Sequence, residues 1–98
     1  MGKIVVNTRY ANSASPTGAS VVAVFLDGDL QEKFETKDGS GMSKELPLGE
    51  YSLSVVSDGF FEAFRSGVAV NAGGNTLITI QLFPLYSTQK GEQYERQI

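Results

Sequence analysis

The chain contains no cysteine, no histidine and no tryptophan. Without cysteine it has no disulfide framework, and without either residue a structural zinc site lacks its usual ligands. The absence of histidine removes the commonest general base and the Ser-His-Asp triad. We therefore expect a protein that is not an enzyme and that uses no metal or other cofactor.

Charge is also scarce, with 19% charged residues and a net charge of −3. This balance argues against a nucleic-acid partner. The charge is unevenly placed, because residues 1–26 carry Lys3 and Arg9 and no acid, whereas residues 27–62 are strongly acidic. Two explanations fit: an ordinary solvated acidic face, or a polarised surface that packs a basic end against an acidic neighbour.

Long apolar runs are missing as well. A membrane-spanning helix needs about 20 consecutive apolar residues, and no stretch of this chain approaches that. The N-terminal segment MGKIVVNTRYANS lacks the apolar core and cleavage pattern of a signal peptide. We expect a chain made in the cytoplasm with no signal peptide, or else one from which a targeting segment has been cut away, and in either case no membrane insertion.

What is present is a dense β pattern. Apolar or alternating segments separated by Gly, Pro, Asp and Asn predict strands at residues 3–10, 19–26, 30–37, 42–46, 51–55, 60–70 and 76–83. We predict no helix before residue 84. Seven strands at spacings of about 8–12 residues are typical of an Ig-like β-sandwich. The predicted organisation is one domain over residues 1–83, followed by a C-terminal tail or extended arm over residues 84–98.

The alternation also predicts which side chains face inward. Tyr51, Leu53 and Val55 alternate with serines and should fill the core, as should Ile78, Ile80 and Leu82. Segment 19–26 is apolar on both faces, so it should be a central strand. For its outer, partner-binding face we assign the residues Val22, Val24 and Leu26.

The tail offers two interpretations. Pro84 has no N–H to donate to a ladder, so it should end the last strand. Residues 84–98 are polar and are either a frayed terminus or an arm that orders on a neighbour. In the second case, the anchors would be Leu85, Tyr86, Tyr94 and Ile98.

The turns and the alternation together resemble a known family. The matching residues are Gly18-Ala19-x-Val21, Thr36-x-Asp38-Gly39, Leu46-Pro47-x-Gly49-x-Tyr51-x-Leu53-x-Val55, Gly59-Phe60, Val68-x-Val70 and Ile78-x-Ile80-x-Leu82. Over residues 3–82 this pattern resembles the carboxypeptidase regulatory-like domain, a prealbumin-like β-sandwich. The resemblance implies a non-catalytic accessory or surface module. The prealbumin-like hydrolases depend on histidines, which this chain lacks.

A second family with similar turns, the Cna-B-type domains, forms an intramolecular isopeptide bond between Lys and Asn. Lys3 with Asn71 or Asn75 would be the corresponding pair. The catalytic acid of that family would fall near Val55 or Val56, and neither residue is an acid. This departure argues against the bond.

Two functions remain from different classes. The first is a structural or interaction module that self-associates or assembles on a larger protein scaffold, such as a virion decoration, cement or tail-accessory protein. The alternative is a glycan- or peptide-binding surface or adhesin module, with calcium at Asp27, Asp29 and Asp38 as a candidate aid. The glycan version is the weaker, because we expect most Phe and Tyr side chains to point inward instead of offering rings for stacking.

Overall fold

The structure is a computed structural model that describes residues 1–85. Regular structure in this part of the chain is all β, in seven strands: β1 Lys3–Tyr10, β2 Ser20–Leu26, β3 Asp29–Thr36, β4 Ser40–Met42, β5 Gly49–Val56, β6 Ala63–Val70 and β7 Asn75–Leu82. They form two sheets, ordered β4-β1-β7 and β3-β2-β5-β6. The predicted seven-stranded all-β sandwich is confirmed. Within residues 1–85 no helix has the length and hydropathy that a membrane crossing requires.

The first and last strands are partners. β1 and β7 pair in parallel over their whole length, from Lys3 opposite Asn75 to Tyr10 opposite Leu82. On its other side β1 pairs antiparallel with the short strand β4. β1 is therefore the centre of the three-stranded sheet, and β7 is an edge.

The core lies between the inward faces of the two sheets. In β5 the serines Ser52 and Ser54 alternate with Tyr51, Leu53 and Val55, which are buried as predicted. Ile80 and Leu82 are buried and Ile78 packs against the core, which also confirms that prediction. Each fully buried apolar side chain stabilises the fold by about 1.5–3 kcal/mol. The remaining apolar members of the core are Ile4, Val6, Val22, Val24, Leu46, Val68 and Val70.

The predicted Asp-Gly turns adopt the left-handed backbone that tight hairpins need. Asp38 and Gly39 have φ values of 54° and 78°, which suits a type I′ turn. Lys37 and Ser40 exchange backbone hydrogen bonds of 2.8 and 3.2 Å across this turn. The turn links β3 to β4 and so carries the chain from one sheet to the other.

Two predicted boundaries are wrong. The strand expected at residues 42–46 is β4, which covers only Ser40–Met42; Leu46 instead exchanges two isolated backbone hydrogen bonds with Gly2. The strand expected at residues 60–70 begins only at Ala63. Its predicted irregularity at Gly67 is present, because Ser66 and Gly67 together lie opposite Ser52 in a β-bulge.

Candidate binding site at the seam between the sheets

The two faces of β2 are reversed relative to the prediction. Val22 and Val24 are fully buried, opposite the core residues Val55 and Leu53 of β5, and Leu26 packs against the core. The prediction that these three residues form an outer face is therefore wrong. Both faces of β2 are apolar, so alternation alone did not distinguish them, and the pairing with β5 decides which one faces inward.

Of the four predicted tail anchors, the structure describes Leu85 alone. Leu85 is 45% exposed and its N–H donates a hydrogen bond of 2.8 Å to the carbonyl of Gly59. Tyr86, Tyr94 and Ile98 lie outside the described residues. The role of the tail as an arm stays a prediction.

The predicted calcium site is not assembled. Asp29 begins β3 and Asp27 lies in the turn before it, whereas Asp38 lies in the turn after β3. The eight residues of β3 separate the two turns, and each residue advances the chain by about 3.3 Å. Among residues 1–85, no group of three acids, histidines or cysteines is placed to hold a metal ion.

The prediction that most Phe and Tyr rings point inward is also wrong. Phe61, Phe64 and Phe83 are 57%, 73% and 59% exposed, and Phe64 is the most exposed large hydrophobic residue described. Phe60, by contrast, packs against the core and lies with its ring centre 5.4 Å from that of Tyr10. Tyr10 is 37% exposed, and the three more exposed rings belong to two short stretches, residues 61–64 and residue 83, which the fold brings together.

These stretches meet because the end of the chain crosses from one sheet to the other. The N–H of Phe61 donates to the carbonyl of Phe83 over 2.9 Å, and Leu85 pairs in the same way with Gly59. Phe60 and Pro84 form the bridge between these two bonds. Residues 59–61 and 83–85 are thus joined as a short antiparallel pair.

Farther from this pair, β6 and β7 remain aligned antiparallel, but no ladder of backbone hydrogen bonds joins them. The guanidinium of Arg65 donates to the carbonyl of Thr79 over 3.0 Å, and the hydroxyl of Thr76 donates to the carbonyl of Ala69 over 2.7 Å. Side chains therefore bridge β6 and β7, the edge strands of the two sheets. We call this boundary, from Phe61 and Phe83 to Ala69 and Thr76, the seam.

A groove of about 610 Å³ opens along the seam. Its apolar walls come from the exposed phenylalanines, and its polar groups come from the edge strands and from Glu62, just before β6. The lining residues are Phe61, Glu62, Ala63, Phe64, Arg65, Thr79, Ile80, Gln81 and Phe83.

Phe64 is a ridge between this groove and a second one. The second groove, of about 380 Å³, lies over the outer face of the four-stranded sheet and includes Phe25, Ser52 and Ser54. Glu62, Phe64 and Arg65 line both grooves. A ligand that covers Phe64 therefore contacts an aromatic ring, a carboxylate and a guanidinium together.

The groove of the seam has four polar side chains beside its aromatic rings. Its polar groups are one carboxylate, one guanidinium, an amide and a hydroxyl, and no nucleophile there is paired with a base. Exposed aromatic rings beside a few hydrogen-bonding groups are typical of binding surfaces. The segment FFEAF, residues 60–64, contains the sequence signal for this site. Adjacent side chains of an extended chain point to opposite sides, so when Phe60 packs against the core, Phe61 faces outward.

One structural observation bears on the hypothesis of an isopeptide bond. Lys3 and Asn75 are direct neighbours across β1 and β7, and both line a hollow of about 380 Å³ together with Glu45. Asn75 is exposed on the outer surface, so this amide is not in the water-excluded setting that favours such chemistry.

No family model matches this chain, and the search of curated proteins finds no match. Its function is therefore inferred from the fold and the seam.

Proposed function

We propose that this protein is a non-catalytic interaction module that assembles on a larger protein scaffold, with the seam as its docking surface. The observation that carries the proposal is the exposure of Phe61, Phe64 and Phe83 around one groove. Aromatic residues are enriched at the centres of protein interfaces. The absence of histidine and cysteine from the sequence fits a role without catalysis.

The partner we propose is an extended polypeptide segment. At one end of the seam, residues 59–61 and 83–85 already pair through backbone hydrogen bonds. In its middle the carbonyl of Thr79 faces across the gap, where Arg65 reaches it with a side chain. Backbone groups at a sheet edge beside apolar pockets are the elements of strand-addition binding.

For the family, we propose the prealbumin-like, carboxypeptidase regulatory-like type of Ig-like sandwich. In immunoglobulin constant domains the first, second, fourth and fifth strands share one sheet. Here β1 and β4 lie in one sheet, and β2 and β5 lie in the other. This order favours a sandwich type other than the immunoglobulin constant domain.

For the setting, we propose an assembled particle such as a virion, where the module would act as a decoration, cement or tail-accessory protein. Such a role needs stable attachment but no chemistry, and an aromatic docking surface suits it. Cryo-electron microscopy of the native particle would place the module in contact with a scaffold protein through β6 and β7. Density that leaves the seam exposed to solvent would contradict this placement.

The docking surface is tested by selecting peptides from a random displayed library with the purified protein. Selected peptides should bind the wild type and lose at least tenfold in affinity with Phe64→Ser. Leu48→Ser is the matched control, because Leu48 is 59% exposed but lies in the turn before β5. Equal binding by all three proteins would contradict the proposal.

Glycan binding is the second candidate, and the exposed rings favour it. Phe64 offers a face for a sugar ring, and Glu62 and Gln81 offer hydrogen-bonding groups in the same groove. A glycan array probed with the wild type and with Phe64→Ser separates the two candidates. A glycan signal lost in the variant, with no peptide selected, would replace the protein partner by a saccharide.

A further inference from the structure

The outer face of the three-stranded sheet carries an apolar row bordered by cations. Met42, Val5 and Leu77 lie side by side across β4, β1 and β7. Met42 and Leu77 are 49% and 64% exposed. Lys3 and Arg9 are on the same face of β1, and among the described residues the outward positions of these three strands include no acid. Glu45, which follows β4, is the acid at the border of this face, where it lines a hollow together with Lys3 and Met42. We call this outer face the basic face.

The outer face of the four-stranded sheet offers an apolar hollow bordered by acids. Val21 of β2 lies between Glu35 of β3 and Val56 of β5. The two valines are 39% and 50% exposed. With Asp58 and Glu35 they line a hollow of about 200 Å³. We call this the acidic face; Lys33 also lies on it, so its acids exceed its bases by a small margin.

We propose that the basic face of one copy binds the acidic face of a second copy. Leu77 is the most exposed side chain of the apolar row, and it fits a hollow whose floor is Val21 and Val56. Lys3, which lies two positions before Leu77 in the register of β1 and β7, then approaches the carboxylates of Glu35 and Asp58. Both the apolar contact and the charges are complementary.

The geometry makes this contact head-to-tail. The two faces lie on opposite sides of the sandwich, so each copy uses one face for each neighbour, and the contact does not close on itself in a dimer. A sheet face three strands wide and eight residues long covers only on the order of 300 Å². Standard interfaces bury about 800 Å² per partner, so the association is weak and depends on concentration. It uses none of the residues that line the groove of the seam and does not rest on the proposed function.

Sedimentation velocity at rising protein concentration tests the contact. The average mass of the wild type should rise above the monomer, and Leu77→Glu and Val56→Glu should each remain monomeric. Lys3→Glu, which leaves the apolar row intact, should weaken the association. Leu48→Glu, off both faces, should associate like the wild type.

Mixing the two blocked variants tests the head-to-tail arrangement. Leu77→Glu retains an intact acidic face and Val56→Glu retains an intact basic face, so their mixture should form dimers and nothing larger. A wild type that stays monomeric at the highest concentration, variants that associate like the wild type, or a mixture without dimers would each overturn the proposal. Peptide binding at the seam should be unchanged in both variants, so the two proposals fail separately.

Discussion

The guanidinium of Arg65 and the backbone carbonyl of Thr79 join the edge strands of the two sheets through a hydrogen bond of 3.0 Å. The bond lies at the middle of the seam, between the backbone pair of Phe61 with Phe83 and the bond from Thr76 to Ala69. It links strands that are aligned for pairing but are not joined by a ladder. Arg65 thus connects the two sides of the groove at its middle.

Removing this bond should loosen the seam without unfolding the sandwich. Arg65→Ala is expected to lower the free energy of unfolding by about 1 kcal/mol or less, because the bond is solvent-exposed and a typical hydrogen bond contributes about 0.5–1.5 kcal/mol. Hydrogen exchange should accelerate at residues 61–65 and 79–83 and stay unchanged in β2. Arg65→Lys, which keeps the charge but not the planar fork, is the control for charge alone. Uniform acceleration across the chain would contradict a local role.

The reversed faces of β2 can be tested with two valines of the same strand. Val24→Ala should lower the free energy of unfolding by about 2 kcal/mol or more, because Val24 is fully buried and the change leaves a cavity. Val21→Ala should change it by less than about 0.5 kcal/mol, since Val21 is on the surface. Urea denaturation measures both. The opposite order of the two effects would restore the original assignment of the outer face.

Alanine substitutions at two glycines distinguish the cost of backbone strain from the cost of a steric clash. Gly67 has φ of 69°, but a Cβ there meets no atom within 4 Å, so Gly67→Ala should cost about 1–2 kcal/mol from the backbone alone. At Gly39, with φ of 78°, a Cβ would lie 2.5 Å from Cβ of Pro16 and 2.9 Å from the carbonyl of Thr8. Gly39→Ala should therefore cost more than about 3 kcal/mol. Thermal unfolding that ranks the two equally would contradict the tight approach at the β3–β4 turn.

Lys3 and Asn75 should remain unlinked although they are neighbours. Asn75 is exposed to water, and residues 55 and 56 are both valine. Glu45 lines the same hollow as Lys3 and Asn75, but the hollow is open to solvent and so does not exclude water from the pair. The intact mass of the purified protein should equal the value calculated from its sequence. A mass lower by one ammonia, absent in Asn75→Ala, would establish an isopeptide bond between the two strands.

The fold was largely predictable because its signals are local. Asp-Gly turns, the bulge at Gly67 and the alternation around Tyr51, Leu53 and Val55 each depend on neighbours in sequence. The hydroxyl of Tyr51, for example, bonds the carbonyl of Pro47 over 2.6 Å. Strand existence and core membership follow from such patterns.

The candidate binding surfaces were harder to predict because they depend on which strands pair. β2 is apolar on both faces, and only its register with β5 shows that Val22 and Val24 face inward. The seam brings residues 61–65 next to residues 79–83, and no local sequence pattern predicts that contact. Asp27, Asp29 and Asp38 looked like one cluster in the sequence, but β3 holds them apart.

The central claim, that the seam is the docking surface, is tested most directly by NMR with the ¹⁵N-labelled protein and a peptide selected from the library. Titration should shift the amide signals of residues 61–65 and 79–83, and Phe64→Ser should abolish these shifts. Signals of Val21, Val56 and Leu77 on the outer sheet faces should not move. Shifts confined to those outer faces, with the seam unchanged, would contradict the account.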